Sequence, residues 1–203
     1  MIYLFLAEGF EEIEALGTLD VLRRAGVETK TVGVTGAVVT GRDEVHIRAL
    51  EYLDEGKEVP VCLNEAALYH CGPIMKQNQD GTWSVVAAGP TTSARMNALE
   101  PRFIREFKIR AIIGKGGMSK EVAEAMKEVG CVYLAATGGV AVTYAEGLAR
   151  VTGHDWADLG MPEALWQFQT KSLGPLIVAI DANGNSLYEA VKEKVAENLS
   201  KMQ

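Results

Sequence analysis

The chain has 203 residues, 48% of them apolar, with a formal net charge of −7, enough apolar material for the core of one large domain or two small ones. An acidic balance argues against a nucleic-acid partner and against a membrane-surface role, since both call for basic patches. No apolar run nears the length of a membrane span, and the opening Met1-Ile-Tyr-Leu-Phe-Leu-Ala7 is short and lacks a basic leader, so an intracellular, cytoplasmic protein is expected.

In chain order, residues 2–7 read as a strand, 10–25 as a helix, 27–34 as a strand and 43–55 as a helix. One face of that second helix carries Val45, Ala49 and Leu53, with His46 beside them. Trp83-Ser-Val-Val-Ala-Ala88 and Ile109-Arg-Ala-Ile-Ile113 are largely apolar runs that read as buried strands. Ser119 is the natural N-cap of a helix over 120–129, with Glu121 in its first turn and apolar Val122, Ala125, Met126 and Val129. A strand over 131–136 leads through Gly138-Gly139 into a helix ending near Ala149. A further strand over 176–181 stops at Asn183-Gly184, and Leu187, Val191, Val195 and Leu199 make a stripe on a last helix. The alternation predicts an α/β fold with a mostly parallel or mixed central sheet flanked by helices. With no repeat and no Pro/Ser-rich linker, a single composite domain over 1–203 is expected.

Two short windows carry the chemistry. Gly89-Pro-Thr-Thr-Ser-Ala-Arg95-Met96 follows the first apolar run, and Gly114-Lys115-Gly-Gly-Met118 follows the second. If those strands are neighbours, their ends present Arg95 and Lys115 at one crevice, beside backbone N–H groups and the hydroxyls of Thr91, Thr92 and Ser93. In open α/β sheets ligands bind outside the carboxyl ends of the strands, and this set suits a small anion, a carboxylate or a phosphate. Either window alone is no more than a turn signal. The three cysteines, Cys62, Cys71 and Cys131, are too few and too irregular for a disulfide framework. Cys62 and Cys131 lie in apolar runs and read as packed small hydrophobes; Cys71, before Gly-Pro, is left open.

Together the two windows resemble the β component of the class I fumarases and L-tartrate dehydratases, which are iron–sulfur hydro-lyases. Further segments fit in order: Thr40-Gly-Arg42-Asp43-Glu-Val-His46, His70-Cys-Gly-Pro-Ile74, Ala136-Thr-Gly-Gly-Val140, Asp158-Leu-Gly-Met-Pro-Glu-Ala-Leu-Trp166 and Ile180-Asp-Ala-Asn-Gly-Asn-Ser-Leu-Tyr188. The resemblance spans about Gly36 to Tyr188. It implies a swivelling β/β/α-type domain and the reversible hydration of fumarate to L-malate, with tartrate dehydration as the alternative. It implies that Arg42, Arg95 and Lys115 clamp the substrate carboxylates, that Thr92, Gly89 and His46 complete the substrate site, and that Thr91 supplies the base. It also implies a partner α component carrying a 4Fe-4S cluster, with no metal held by this chain and no activity from it alone. A structural hydrogen bond competes with substrate contact for His46, and Asp43 orients Arg42 or caps the helix. Met118 and Met161 read as packing residues, Asp181 to Asn185 as a strand-end turn, and Glu163 and Trp166 receive no chemistry. A homodimer is left open, and a non-catalytic anion-binding module of the same fold is the rival reading.

The front of the chain is different. Phe5-Leu-Ala-Glu-Gly-Phe-Glu-Glu-Ile-Glu-Ala-Leu16 and Asp20-Val-Leu-Arg-Arg-Ala-Gly-Val27 resemble the opening βαβ unit of the ThiJ/PfpI superfamily. There an acidic residue matching Glu14 pairs with a cysteine nucleophile at a Cys-Ala-Gly-Pro elbow. The local look-alike is Ala87-Ala-Gly-Pro90, with Ala87 where the cysteine would stand. Without a thiolate there is no nucleophile, so a glyoxalase or chaperone of that type is disfavoured. The expected organisation is a recombined segment over 1–36 joined to a hydro-lyase β-type domain over 37–203.

Overall fold

The computed structural model describes residues 2–6, 21–22, 24–33 and 44–202. Most of the helix expected over 10–25, Glu14, the junction near Gly36 and the Arg42-Asp43 pair lie outside the described residues. The chain divides into two compact units, 1–44 and 45–203. In the first, β1 (Ile2–Leu6) runs parallel to β2 (Thr29–Gly33), with Ile2 opposite Thr29 and Leu6 opposite Gly33. Parallel neighbours require a crossover rather than a tight turn between them.

Helix α1 (Glu44–Asp54), which belongs to the second unit from Val45 on, matches its expected position, but its inward face differs by a rotation. His46, Ala49 and Leu50 are buried, while Leu53 is exposed. The elements that follow are β3 (Ala67–Tyr69), β4 (Ile74–Gln77), β5 (Trp83–Ala87), a 3-10 turn over Ser93–Ala98, α2 (Glu100–Phe107), β6 (Ala111–Gly114) and α3 (Lys120–Val129). Then come β7 (Val132–Ala135), α4 (Ala141–Glu146), β8 (Leu148–Asp155), β9 (Leu165–Thr170), β10 (Ile177–Ile180) and α5 (Leu187–Ser200).

The central sheet has the order β10-β7-β6-β3. β3, β6 and β7 are mutually parallel and β10 is antiparallel to β7, so the sheet is mixed, as the alternation of elements predicts. Its core is built from Ile112, Tyr133 and Ile180 of the sheet, Phe103 and Ile104 of α2, and Val122, Ala125 and Met126 of α3, all fully buried. The stripe on α3 is the one legible in the sequence. Ser119 caps that helix, its hydroxyl accepting from the Val122 N–H at 3.5 Å, and Gly130 ends it with φ +75°. A left-handed residue at that position favours glycine.

Four expectations are corrected. β5 is not a buried strand of the main sheet: it pairs antiparallel with β4, and Ser84 and Val86 face outward in the alternation a half-covered hairpin requires. The helix expected to reach Ala149 stops at Glu146; the Gly147 carbonyl accepts from the Lys171 and Ser172 N–H groups at 2.8 and 3.2 Å, and a β-carbon on Gly147 would overlap the Ser172 carbonyl. Residues 148–155 instead form β8, antiparallel to β9. Cys62 is exposed, since residues 57–63 form no regular element and it is Val59, Val61 and Leu63 that turn onto the core. The stripe of α5 does not pack inward: Leu187, Val191, Val195 and Leu199 are each at least half exposed. Among the described residues, no helix is long and apolar enough to cross a membrane.

Candidate active site

The three parallel strands end together. Tyr69 is level with Ile113 and Gly114 with Ala135, so His70, Lys115 and Ala136 emerge on one side of the sheet. The chain after β5 passes between the ends of β3 and β6 and is tied to both. The Thr91 N–H donates to the His70 carbonyl at 2.7 Å, the Lys115 N–H to the Thr91 carbonyl at 3.2 Å, and the Ser93 N–H to the Lys115 carbonyl at 3.1 Å. The two windows are therefore brought together by a different route from the one the sequence suggests. β3 is the neighbour of β6, and the window after β5 arrives as a loop laid between them. The expectation that backbone N–H groups at these strand ends face the anion is also corrected for these three, which are already bonded to carbonyls of the loop and strands.

The side chains remain. Thr91 is buried, and its hydroxyl accepts a short hydrogen bond from Arg95 Nη2. Arg95 Nε also donates to the Thr92 carbonyl at 3.3 Å, and the 3-10 turn over Ser93–Ala98 supplies the curvature that folds the guanidinium back over the two threonines. Thr92 makes no side-chain cap to that turn; its backbone bridges to Lys115. Lys115 passes over Gly138, where a β-carbon would lie 3.7 Å from its Cδ, which sets the Ala136-to-Val140 segment beside it. Gly89 sits against Ala141, with room for a β-carbon only at 3.0 Å. Thr91, Thr92, Arg95 and Lys115 thus share one sheet end. Arg42 lies outside the described residues.

Beneath them is a buried polar layer. Ser93 is fully buried, with its hydroxyl 2.9 Å from His70 Nδ1 and 3.0 Å from the Tyr133 hydroxyl. Tyr133 in turn donates to the Gly116 carbonyl at 3.1 Å. On the other side of its ring, His70 Nε2 lies 3.4 Å from Glu100 Oε2, and His46 Nε2 lies 3.1 Å from the same oxygen. Burial by itself would raise the Glu100 carboxyl, but the His70 and His46 imidazoles outweigh it and hold the group down at about 2. His46 faces inward, against Glu100 and the Phe103 ring at 4.7 Å, the structural bond that competes with substrate contact.

Glu100 and Tyr133 are missed by sequence reasoning, and His70 enters it only within a quoted segment. An acid in the first turn of an amphipathic helix normally faces water, and a tyrosine in an apolar strand looks like core. Ser93 looks like a turn residue. No spacing signal marks that four separate elements meet here.

Among the described residues, His46, His70 and Glu100 are the group of His, Cys, Asp and Glu side chains whose donor atoms all fall within 4.8 Å of one another. The cysteines form no such group: Cys62 is exposed, Cys71 half-buried, and Cys131 buried with its thiol pushed up to about 12 by burial. They do not fit an iron–sulfur cluster. The segment Asp158 to Trp166 is structural in its contacts. Asp158 pairs with Arg48 at 2.6 Å, the Met161 sulfur accepts from the Met75 N–H at 3.2 Å, and Trp166 Nε1 donates to the Met161 carbonyl at 2.9 Å. Met118 is buried as expected, whereas Met161 is partly exposed.

Comparison with known proteins finds a family and relatives that match most of the chain. The family model described as the fumarase C-terminus matches residues 14–191, reaching further toward the N-terminus than Gly36. A Methanocaldococcus jannaschii protein, provisionally named an L(+)-tartrate dehydratase subunit beta, is 45% identical over 190 residues, covering 91% of this chain and 97% of its own length. The L(+)-tartrate dehydratase subunit beta of Escherichia coli is 38% identical over 164 residues, covering 81% of this chain and 80% of its own. A Geobacillus stearothermophilus protein, provisionally named a class I fumarate hydratase, is 39% identical over 190 residues, which are 94% of this chain but 34% of the relative.

Proposed function

This chain belongs to the fumarase C-terminus family, and on that footing we propose that it is the β component of an iron–sulfur hydro-lyase acting on a small dicarboxylate. The observation that carries the reading is the contact between Arg95 and the Thr91 hydroxyl. Dehydration removes a proton from carbon and a hydroxide from the neighbouring carbon; hydration returns both. A threonine hydroxyl is a weak base in water. A guanidinium donating directly to its oxygen stabilises the alkoxide form, so Thr91 can take the carbon-bound proton in one direction and return it in the other.

Arg95, Lys115 and Arg42 bind the two substrate carboxylates. Arginine supplies a planar fork and lysine a compact point charge. Thr92 and Gly89 shape the floor of the site. His46 supports the site from inside through Glu100 and His70 rather than by touching substrate. The cluster belongs to the α component, in keeping with cysteines here that do not fit one, and the role assigned to each residue above is independent of it.

Fumarate and L-malate are the proposed pair. A tartrate dehydratase β component is the second reading, favoured by the names of the M. jannaschii and E. coli relatives, each of which covers most of this chain. Anaerobic mixing with a cluster-loaded α component, following fumarate absorbance with L-malate and tartrate as parallel substrates, tests both. Turnover that requires the two chains together selects the substrate. Silence with both substrates from a complex that has formed overturns the hydro-lyase reading in favour of an anion-binding module.

A further inference from the structure

We propose that His46, His70 and Glu100 form a binding site for a divalent first-row metal ion, with Zn2+ the best fit, separate from any cluster on a partner. This departs from the expectation that the chain holds no metal of its own, and it does not depend on the proposed function. The three residues come from α1, from the end of β3 and from the first turn of α2, and they are 5%, 2% and 0% exposed. An ionised carboxylate removed this completely from water needs a countercharge. Among the described residues the ion-pair partners of Glu100 are these two imidazoles, which are neutral unless a proton or a metal supplies the charge.

The geometry suits a metal. Around a tetrahedral Zn2+ with ligand bonds of about 2.0–2.1 Å, neighbouring ligand atoms stand about 3.3 Å apart. Glu100 Oε2 lies 3.1 Å from His46 Nε2 and 3.4 Å from His70 Nε2. These distances would also serve hydrogen bonds, yet among the described residues neither carboxylate oxygen of Glu100 has an aligned hydrogen-bond donor. Lone pairs turned toward a shared ion would leave that arrangement.

The surroundings of His70 point the same way. A metal-binding histidine usually donates its other ring N–H to a fixed acceptor. His70 Nδ1 lies 2.9 Å from Ser93 Oγ, and Tyr133, bonded to the Gly116 carbonyl, holds that hydroxyl in place. A metal on Nε2 calls for His70 Nδ1–H to donate to Ser93, which this network allows when the Tyr133 hydrogen lies on the Gly116 carbonyl. Ser93 then gives its own hydrogen to Tyr133 and accepts from His70 Nδ1–H. In a neutral ring that leaves the Nε2 lone pair facing Glu100. Two imidazoles and one carboxylate are a zinc donor set, with a fourth position for water. Because the site is buried, the ion would be taken up as the chain folds, joining α1, β3 and α2.

The test uses the full-length chain without a histidine tag, unfolded in chelator and refolded with or without Zn2+. After gel filtration, elemental analysis should find about one Zn2+ per chain with a raised Tm. Refolding with Co2+ should give the visible absorption of a tetrahedral N/O site. Glu100→Gln should cut retained Zn2+ by about tenfold or more with an unchanged far-ultraviolet spectrum; should that variant fail to fold, the Co2+ spectrum of the unaltered chain decides. No retained metal and no Tm shift overturns the proposal and leaves an ion pair held by a proton. Undiminished Zn2+ in folded Glu100→Gln overturns it equally, since the metal would then sit elsewhere.

Discussion

Ser93 occupies the space that a side chain at Gly114 would need. A β-carbon on Gly114 would overlap the Ser93 hydroxyl and come within 3.3 Å of His70 Nδ1. The first glycine of the Gly-Lys-Gly window is therefore required by the hydrogen bond that crosses above it, between His70 and Ser93. Gly114→Ala should destabilise the fold by about 1–3 kcal/mol through overpacking, measured by urea unfolding. Adding Ser93→Ala should recover part of that loss, because the two positions share one volume. An unchanged urea midpoint for Gly114→Ala would show that the contact is not there.

Arg95→Lys separates charge from shape. The substitution keeps a cation but removes the fork that reaches both the Thr91 hydroxyl and the Thr92 carbonyl. In the reconstituted enzyme kcat should fall about 100-fold or more, with Tm nearly unchanged because Arg95 is not part of the apolar core. Full turnover in Arg95→Lys would remove Arg95 from the proposed mechanism.

The thiols should differ sharply. Cys131 is fully buried and its thiol is pushed up to about 12, so near neutral pH it is both inaccessible and protonated. Cys131→Ser should leave the labelling of the folded chain by Ellman's reagent unchanged and remove one equivalent only after denaturation. A change in native labelling would contradict the burial of that strand start.

Ser119→Ala should cost about 1 kcal/mol through loss of the cap on α3. The neighbouring Ser119 N–H, bonded to Asn97 Oδ1 at 3.0 Å, keeps the chain entry fixed, so the expected change is in the urea midpoint and not in the m-value.

α3 was legible because every signal for it is local: a cap, an acid in the first turn and an apolar stripe at helical spacing. The windows around Arg95 and Lys115 were legible as chemistry for the same reason. What pairs with what was not. The helix read to end near Ala149 gives no sign of the strand over 148–155, which its partner β9 defines. Val85 and Val86 look equivalent in sequence, yet the hairpin with β4 turns one in and one out. Glu100 is the clearest case. Its meaning lies in two histidines from distant segments, and the helix that carries it would read the same with that acid facing water.

The tie between the loop and the two strand ends has an evolutionary consequence. Thr91, Ser93 and Lys115 spend their backbone N–H groups on one another and on His70, so the frame is assembled without any ligand. A loop that grips its ligand with main-chain amides has fixed its preference in the backbone, where among replacements only proline removes an N–H. Here these three amides are already committed to the frame, and the side chains of Thr91, Arg95 and Lys115 are carried on it. On the proposed reading, single replacements at the rim can therefore shift preference between small diacids while the scaffold stays as it is.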